Sequence, residues 1–377
     1  MSGPAVLDHR SLNRATLARQ LLLRRAAIGP EEALERLVGL QAQTTHTWYL
    51  GLWSRLAGFS AEAVSALLGS GAAVRMSLMR STLHLVNTED ALWLRPLVQP
   101  VHERGYRATY GRQTAGLDPA EVEKAGRAAL AEGPLTFSEL GRRLAEHGRS
   151  AGWGERDPQA LAQWVRVLAP LVQVPPRGQW GRSGRAAHTP IESWPGRTPA
   201  ADPPLERLVL RYLAAFGPAS VLDVQKWCGL TRLGEVVDAL RPRLAVFRAE
   251  DGRELFDLPG APRPDSDTPA PVRFLYEFDN LRWSYADLGR LVAVDLRDHG
   301  FGARNGVDPG LVLIDGFAAA GWRIAVRQRS AVLTVRPFRR LAPEEESDLR
   351  AEAAGVLAFS TPAATERAIE VAPPTGR

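Results

Sequence analysis

Cysteine, lysine and long apolar runs are scarce in this sequence of 377 residues. Cys228 is its single cysteine, which excludes an internal disulfide and a metal cluster held by several thiolates. No apolar run reaches the roughly 18 residues of a membrane-spanning helix. Asp8 and several arginines interrupt the N-terminal segment, so a signal peptide is not expected. We therefore expect a cytoplasmic protein without a metal, a cofactor or a membrane partner.

The shortage of lysine is as pronounced. The 47 basic residues include two lysines, Lys124 and Lys226, so 45 are arginines. The richness in Ala, Gly and Pro makes a compositional bias of the genome a simpler explanation than selection for bidentate phosphate contacts. The formal net charge of +5 permits a polyanionic partner without requiring one. In either case, the chain offers few amines for nucleophilic chemistry.

A repeat is the main organising feature of the first 260 residues. Residues 133–140 (GPLTFSEL) recur in outline as residues 217–224 (GPASVLDV). In both, Gly-Pro ends one helix, Thr136 or Ser220 can cap the next helix, and an acidic residue follows three positions later, which is a capping box. Three helical patterns and a β-hairpin around each copy are typical of a winged helix.

The same pattern predicts three tandem winged helices and a β-rich C-terminal region, in an α+β fold. We assign residues 1–115, 116–200 and 201–260 to the winged helices and residues 261–377 to the last region. The predicted helices are 11–25, 30–38, 60–68, 119–131, 136–147, 157–169, 205–216, 220–228, 231–240 and 343–359. The predicted strands are 74–78, 81–86, 171–174, 188–191, 244–247, 254–258, 272–278, 310–314, 322–327 and 331–337. Residues 371–377 are predicted to be disordered.

Two glutamines, Gln41 and Gln43, follow the helix predicted at residues 30–38. Residues two apart point to the same side of an extended segment, so both amides can face one site if the helix stops near Gly39. A primary amide is a weak base, and it would act by holding a water molecule, which suits a reaction with a good leaving group. From the spacing alone, polar residues that satisfy the carbonyls at a helix end are the simpler interpretation.

Five segments together resemble the AlkZ family of bacterial DNA glycosylases. They are GLQAQ (39–43), GLWSR (51–55), RSTLHLV (80–86), EFDNL (277–281) and VRPF (335–338). The resemblance implies a C-shaped DNA-binding architecture of winged helices, with Gln41 and Gln43 as the catalytic Gln-apolar-Gln pair. It implies a monomer that acts on double-stranded DNA carrying N7-alkylated purines, including bulky adducts and crosslinks formed by genotoxic natural products in the organisms that make them.

This activity agrees with the chemistry of glutamine. An N7-alkylated purine is already cationic and departs as a neutral base, so the enzyme only has to favour an oxocarbenium-like sugar and place a water at C1′. Strand cleavage would need an amine that forms a Schiff base. Lys124 and Lys226 lie far in sequence from the glutamines, and we therefore predict a monofunctional enzyme that leaves an intact abasic site.

Other residues are candidates for contacts with DNA or with the lesion. His46, Trp48 and Tyr49 are candidate lesion contacts, although an exposed loop histidine and packed rings are common. Arg80, Thr82 and His84 alternate on one face of the first hairpin, and we expect that face to meet DNA. Asn280 is predicted to support the DNA site. Arg323, Arg327 and Arg329 lie on a hairpin that either enters a groove or is only solvated.

Two other functions remain open at this point. Winged helices commonly read DNA in transcription regulators, but the helix predicted at residues 60–68 contains no arginine or lysine. A protein that sequesters a drug on an apolar surface would also suit the composition. Release of an alkylated base from DNA would separate the glycosylase from both.

Overall fold

The computed structural model describes residues 4–302 and 307–374, and it confirms the predicted α+β class. Val371 was predicted to be disordered, but it ends the last strand. Residues 375–377 of that prediction lie outside the described residues. Within the described ranges, every helix is too short or too polar to cross a bilayer.

The first unit contains more helices than the sequence predicted. Its elements are β1 (Val6–Leu7), α1 (His9–Arg19), α2 (Pro30–Leu37), β2 (Leu40–Gln41), α3 (Thr47–Trp53), α4 (Ala61–Ser70), β3 (Ala73–Ser77), β4 (Leu83–Asn87), α5 (Thr88–Leu97) and α6 (Gln99–Tyr110). Helix α1 ends six residues before the predicted position, and α3, α5 and α6 were missed. Seven residues are too few to establish a helical period in α3, and Pro96 and Pro100 interrupt the pattern across α5 and α6.

The second and third units have the predicted order of three helices and a hairpin. The second contains α7 (Pro119–Ala131), β5 (Leu135–Thr136), α8 (Phe137–Ser150), α9 (Pro158–Leu168), β6 (Leu171–Gln173) and β7 (Ala187–Pro190). The third contains α10 (Leu205–Phe216), α11 (Val221–Cys228), α12 (Gly234–Leu240), β8 (Ala245–Ala249) and β9 (Glu254–Asp257). Both predicted capping boxes are confirmed, with Thr136 and Glu139 at α8 and Ser220 and Asp223 at α11.

The C-terminal region is a five-stranded sheet covered by a helix. Its elements are β10 (Arg273–Leu275), β11 (Gly310–Ile314), β12 (Phe317–Arg327), β13 (Ser330–Pro337), α13 (Pro343–Ser360) and β14 (Glu366–Val371). The strands lie in sequence order, and β14 pairs in parallel with β13. The sequence did not predict β14, because charged residues at Glu366, Arg367 and Glu370 obscure its alternation.

Sheets and buried ion pairs join the units. Strand β3 of the first unit pairs with β6 of the second, so their hairpins belong to one six-stranded sheet. Strand β1 pairs with β8, and α1 packs against α10, which ties the N-terminus to the third unit. Arg19 of α1 makes two hydrogen bonds, 2.6 and 2.8 Å long, to the buried carboxylate of Asp257 in β9. The first unit also shares an apolar core with the C-terminal sheet and α13.

Candidate active site

The Gln41 segment leaves helix α2 through a tight left-handed turn. Val38 and Gly39 have φ values of 53° and 79°, in the region that favours glycine. A Cβ atom at Gly39 would lie only 2.3 Å from Val86 Cγ1. The chain then pairs with β4, where Gln41 lies opposite His84. The predicted extended conformation after the helix is therefore confirmed.

Burial ends within this short segment. Gln41 and Ala42 are buried, with Ala42 in the core shared with the C-terminal sheet, whereas Gln43 is exposed. Strand β2 ends at Gln41, so Gln43 lies just beyond the strand. The Gln43 side-chain oxygen Oε1 accepts a long hydrogen bond of 3.3 Å from the Leu83 N–H. The outer glutamine is thus held loosely.

The inner glutamine is held firmly by Arg80. Gln41 is 5% exposed, and its Oε1 accepts a 2.7 Å hydrogen bond from Arg80 Nη2. The other terminal nitrogen of Arg80 donates to the carbonyl of Trp227 in helix α11. Because a guanidinium can only donate, this contact fixes which end of the Gln41 amide is oxygen. The Nε2 donors of Gln41 have no partner among the described residues, and they are free to bind a substrate.

Burial also affects the charge of Arg80. Desolvation lowers the pKa of the Arg80 guanidinium to about 10, which leaves it protonated at neutral pH. Arg80 has a φ of 55° in the turn between β3 and β4, the hairpin turn predicted from the sequence. Arg80 is half-buried, and its guanidinium bridges Gln41 of the first unit and Trp227 of the third unit.

The segment from Tyr276 to Asn280 clamps the backbone of the glutamine motif. The Tyr276 hydroxyl donates to the Gln41 carbonyl at 2.8 Å, and Asn280 Oδ1 accepts from the Gln41 N–H at 3.0 Å. Asn280 Nδ2 donates to the Gly39 carbonyl at 2.6 Å. Three hydrogen bonds therefore fix residues 39–41 against a segment that follows β10.

A buried ion pair holds the segment from Tyr276 to Asn280 in place. Arg55 donates two hydrogen bonds of 2.8 and 2.9 Å to Asp279, and both side chains are fully buried. Sequence reasoning gave no role to Arg55 or Tyr276. Arg55 ends the GLWSR segment, and Tyr276 directly precedes the EFDNL segment. Both residues could therefore have been identified from their position in or beside the segments that resemble the AlkZ family.

Burial excludes His84 from the predicted DNA-contacting face and makes Asn280 a support of the glutamine motif. Asn280 is 4% exposed, and both ends of its amide bind the backbone of the motif, so it is a positioning residue. His84 is 1% exposed, and its Nδ1 donates to the Thr82 carbonyl at 2.9 Å. Burial, together with the charge of Arg80, lowers the pKa of His84 to about 3. Thr82 lies on the same hairpin face that was predicted to meet DNA. It is partly exposed, and its hydroxyl donates to the Met79 carbonyl.

The predicted lesion contacts also divide by burial. Trp48 and Tyr49 are fully buried and stack on each other with ring centroids 4.0 Å apart. They form part of the core and present no free face to a lesion, which corrects that prediction. His46 is half-buried and lies beside Trp180, with 6.3 Å between the ring centroids. Only His46 of the three remains a candidate lesion contact.

The arginines of the C-terminal hairpin are exposed, as a DNA-contacting hairpin requires. Arg323 and Arg327 lie on β12, and Arg329 lies in the turn before β13. Arg323 donates to the Val307 carbonyl at 2.7 Å. Within residues 4–302 and 307–374, none of the three arginines forms a salt bridge, although the charge of Arg323 acts on Glu277 and Asp308.

Comparisons with known proteins agree on one family. A family model described as "DNA glycosylase AlkZ-like" matches residues 34–359. An "Interstrand DNA cross-link repair glycosylase" of Streptomyces sahachiroi is 26% identical over 252 residues, an alignment that spans 64% of this chain and 64% of the relative. The solved structure of Streptomyces sahachiroi DNA glycosylase AlkZ superposes with a TM-score of 0.74 at 21% identity, covering 97% of this chain and 100% of that one.

Proposed function

The chain belongs to the DNA glycosylase AlkZ-like family, and from this premise we propose that it hydrolyses the N-glycosidic bond of N7-alkylated purines in double-stranded DNA. Bulky adducts or crosslinks from a genotoxic natural product are the proposed natural substrates. One relative bears the name of an interstrand crosslink repair glycosylase, which supports this substrate class. The activity would serve base excision repair and self-resistance.

The observation that carries the proposal is the fixed position of Gln41 next to the exposed Gln43. Gln41 is anchored by Arg80 through its oxygen, by Asn280 through its N–H and by Tyr276 through its carbonyl. A site that is held in place before the substrate arrives loses little energy to reorganisation during the reaction. Because the alkylated purine is already cationic, it departs as a neutral base without a general acid. The attacking water forms the bond to C1′ and releases its proton to solvent, so two amides and a water are sufficient for hydrolysis.

The two glutamines have different proposed roles. Gln41 has its oxygen engaged, so its Nε2 donors face the substrate and position the sugar or its phosphate. Gln43 Oε1 accepts only the long 3.3 Å hydrogen bond from the Leu83 N–H, and its second lone pair would accept a hydrogen bond from the attacking water. This division explains why one glutamine is buried and the other exposed.

The decisive experiment measures release of the alkylated base. Duplex DNA carrying N7-methylguanine is incubated with the wild type, with Gln41→Ala, with Gln43→Ala and with the double variant, and the free base is quantified by mass spectrometry. Gln113→Ala, at an exposed glutamine of the first unit, is the matched control. We expect release by the wild type and the control, and a loss of at least about 100-fold in the double variant, the size of effect seen when a key transition-state contact is removed. Full activity of the double variant would refute the site.

We also propose that the enzyme is monofunctional. Lys124 lies in α7, whereas Lys226 precedes Trp227, the residue whose carbonyl accepts from Arg80. Lys226 is therefore the amine to test. Borohydride trapping on DNA with an abasic site should give no covalent complex with the wild type, and a trapped complex that disappears in Lys226→Gln would overturn the proposal.

We further propose that the protein acts as a monomer in the cytoplasm, where bacterial DNA lies. Each glutamine and each residue that orients it comes from one chain, so a second copy is not needed to complete the site. Light scattering at the concentration of the base-release assay should give the mass of one chain, 41.1 kDa. A dimer mass under those conditions would contradict this.

A further inference from the structure

A cavity of about 230 Å³ is lined by residues from the segments that adjoin the glutamine motif, and it plays no part in the proposed hydrolysis. It is bounded by the segment that follows Gln43, by strand β12 and by the end of α13. The lining includes His46, Trp180, Glu277, Trp322, Val326 and Phe359. Gln43 is three residues before His46, and Glu277 is three residues before Asn280, which holds Gln41. The cavity is therefore lined by the segment that follows Gln43 and by the segment that leads to Asn280.

Its walls are largely aromatic. The Trp180 and Phe359 rings are stacked, with centroids 5.0 Å apart and planes 19° apart. The Trp322 indole is fixed by a 2.9 Å hydrogen bond to the Leu275 carbonyl. At the rim, Val326 is 57% exposed, an unusual apolar surface for a hairpin. A cavity of about 150 Å³ admits benzene, so this one has room for two fused rings.

Glu277 gives the cavity a chemical preference. Its Oε2 atom is buried and has no hydrogen-bond partner among the described residues. Burial raises the pKa of Glu277, opposed by the Thr47 hydroxyl and the charge of Arg323. An unsatisfied buried acceptor is destabilising, and a ligand that donates an N–H to it would remove that cost. A carboxyl group in this position also disfavours a phosphate.

We propose that this cavity binds a planar, cationic, nitrogen-containing aromatic group carried by the alkylated purine. Glu277 Oε2 accepts a hydrogen bond from the N–H of that group, and the Trp180 and Phe359 side chains contact its apolar face. The inference rests on the proposed function, because the aromatic group is tethered to the purine whose sugar meets Gln41 and Gln43. The cavity then selects among adducts, and the glutamines perform the reaction.

Free ligands test the cavity without any need for catalysis. The probes are 4-aminoquinoline, which is protonated near neutral pH, and 4-methylquinoline, which has the same size but is neutral. Binding is measured by ligand-observed NMR with the full chain. We expect 4-aminoquinoline to bind the wild type at least about tenfold more tightly, the value of one charge-assisted hydrogen bond. Equal affinities, or no binding of either probe, would overturn the proposal.

Variants assign the preference to Glu277. Glu277→Gln keeps the size of the side chain and should remove the difference between the two quinolines, whereas Phe359→Ala should weaken both. Glu344→Gln, at an exposed acid at the other end of α13, is the matched control and should retain the difference. A retained difference in Glu277→Gln would refute the assignment. If a variant fails to fold, the affinities of the wild type for 4-aminoquinoline and 4-methylquinoline still test the proposal.

DNA substrates connect the cavity to activity. Duplexes carry either N7-methylguanine or guanine alkylated at N7 with a tethered 4-aminoquinoline. We expect Glu277→Gln to lower the ratio of kcat/KM for the tethered adduct over the methyl adduct by about tenfold. An unchanged ratio would refute the cavity proposal alone. Failure of the wild type to release either base would refute the proposed function, and the quinoline affinities would still report on the cavity.

Discussion

Single residues decide how the Gln41 amide is presented. Arg80 was predicted to contact DNA, yet both of its terminal nitrogens bind within the protein, to Gln41 and to Trp227. A DNA contact and a positioning role make different kinetic predictions. Loss of a DNA contact raises KM, whereas loss of a residue that orients Gln41 lowers kcat.

Replacement of Arg80 tests which role it has. Arg80→Lys should lower kcat by about 10- to 100-fold, because a lysine cannot span the two acceptors as a planar guanidinium does and a charged hydrogen bond contributes about 1.5–3 kcal/mol. KM should change little. Single-turnover base release from N7-methylguanine DNA is the measurement. Arg24→Lys, at an exposed arginine, is the control, and a rise in KM with constant kcat would instead support the DNA contact.

His84 should make stability depend on pH. Its pKa is about 3 in the folded protein and 6.5 when unperturbed, so the unfolded chain binds the proton more readily. The stabilisation is complete above pH 6.5 and is lost progressively as the pH falls towards the folded pKa. Between pH 6.5 and about pH 5, His84 should contribute a loss of about 2 kcal/mol in the free energy of unfolding.

Urea unfolding at about pH 7.5 and about pH 5 measures this effect. His84→Asn retains a donor for the Thr82 carbonyl and should reduce the loss of stability between the two pH values. His147→Asn removes an exposed histidine and is the control. The burial argument is wrong if His84→Asn and the wild type lose equal stability on acidification.

At the scale of elements, the turn from α2 into β2 sets the direction of the backbone that carries Gln41 and Gln43. Gly39→Ala should destabilise the protein and reduce base release, because the new methyl group would lie 2.3 Å from Val86 Cγ1 in a left-handed conformation, which itself costs about 1 kcal/mol or more. Gly58→Ala is the control, because Gly58 has a φ of 64° and no atom within 4 Å of a Cβ at this position. This variant reproduces the backbone strain of Gly39→Ala without its steric clash. Thermal unfolding and base release should both be affected more in Gly39→Ala. Equal effects would show that the close approach to β4 does not matter.

The hairpin of β12 and β13 is the second element with a proposed role. Arg327→Gln combined with Arg329→Gln should weaken DNA binding and reduce the dependence of affinity on salt, since each lost phosphate contact lowers the slope by about 0.9. Fluorescence anisotropy over a range of salt concentrations gives the slope. The paired variant Arg24→Gln and Arg340→Gln removes the same charge elsewhere. An equal change in both proteins would indicate a general charge effect and not a hairpin contact.

At the scale of the whole molecule, α1 holds the N-terminal and third units together. Among the described residues, Arg19→Met would leave the fully buried Asp257 with one arginine partner, Arg263, and the Leu258 N–H. Breaking a buried ion pair costs about 3–5 kcal/mol, and the remaining arginine places the expected loss near the lower end. Arg36→Met breaks an exposed pair with Glu32 and should cost less than about 1 kcal/mol. Calorimetric unfolding compares them, and similar losses would contradict the structural role of α1.

The sequence predicted local features better than long-range ones. Helices α7 and α10 have the predicted bounds, and both capping boxes are present, because periodicity and caps depend on neighbouring residues. Helices α5 and α6 were missed where prolines hide the period. The burial of Trp48 and Tyr49 was not foreseen, because it depends on a core shared with the distant C-terminal sheet.

The sequence by itself determined the groups on which the proposed chemistry depends, which are two weak amides two residues apart and hardly any lysine. It also determined a repeat that sets out the helical units. Only the tertiary structure decided how that chemistry is held. Asn280 binds Gln41 across 239 residues, and Trp227 reaches it through Arg80. A hydrogen bond between distant segments leaves no periodic signal in a sequence, because its partners are brought together only by packing. The same packing separates the glutamines, so that Gln41 is buried and fixed while Gln43 stays exposed.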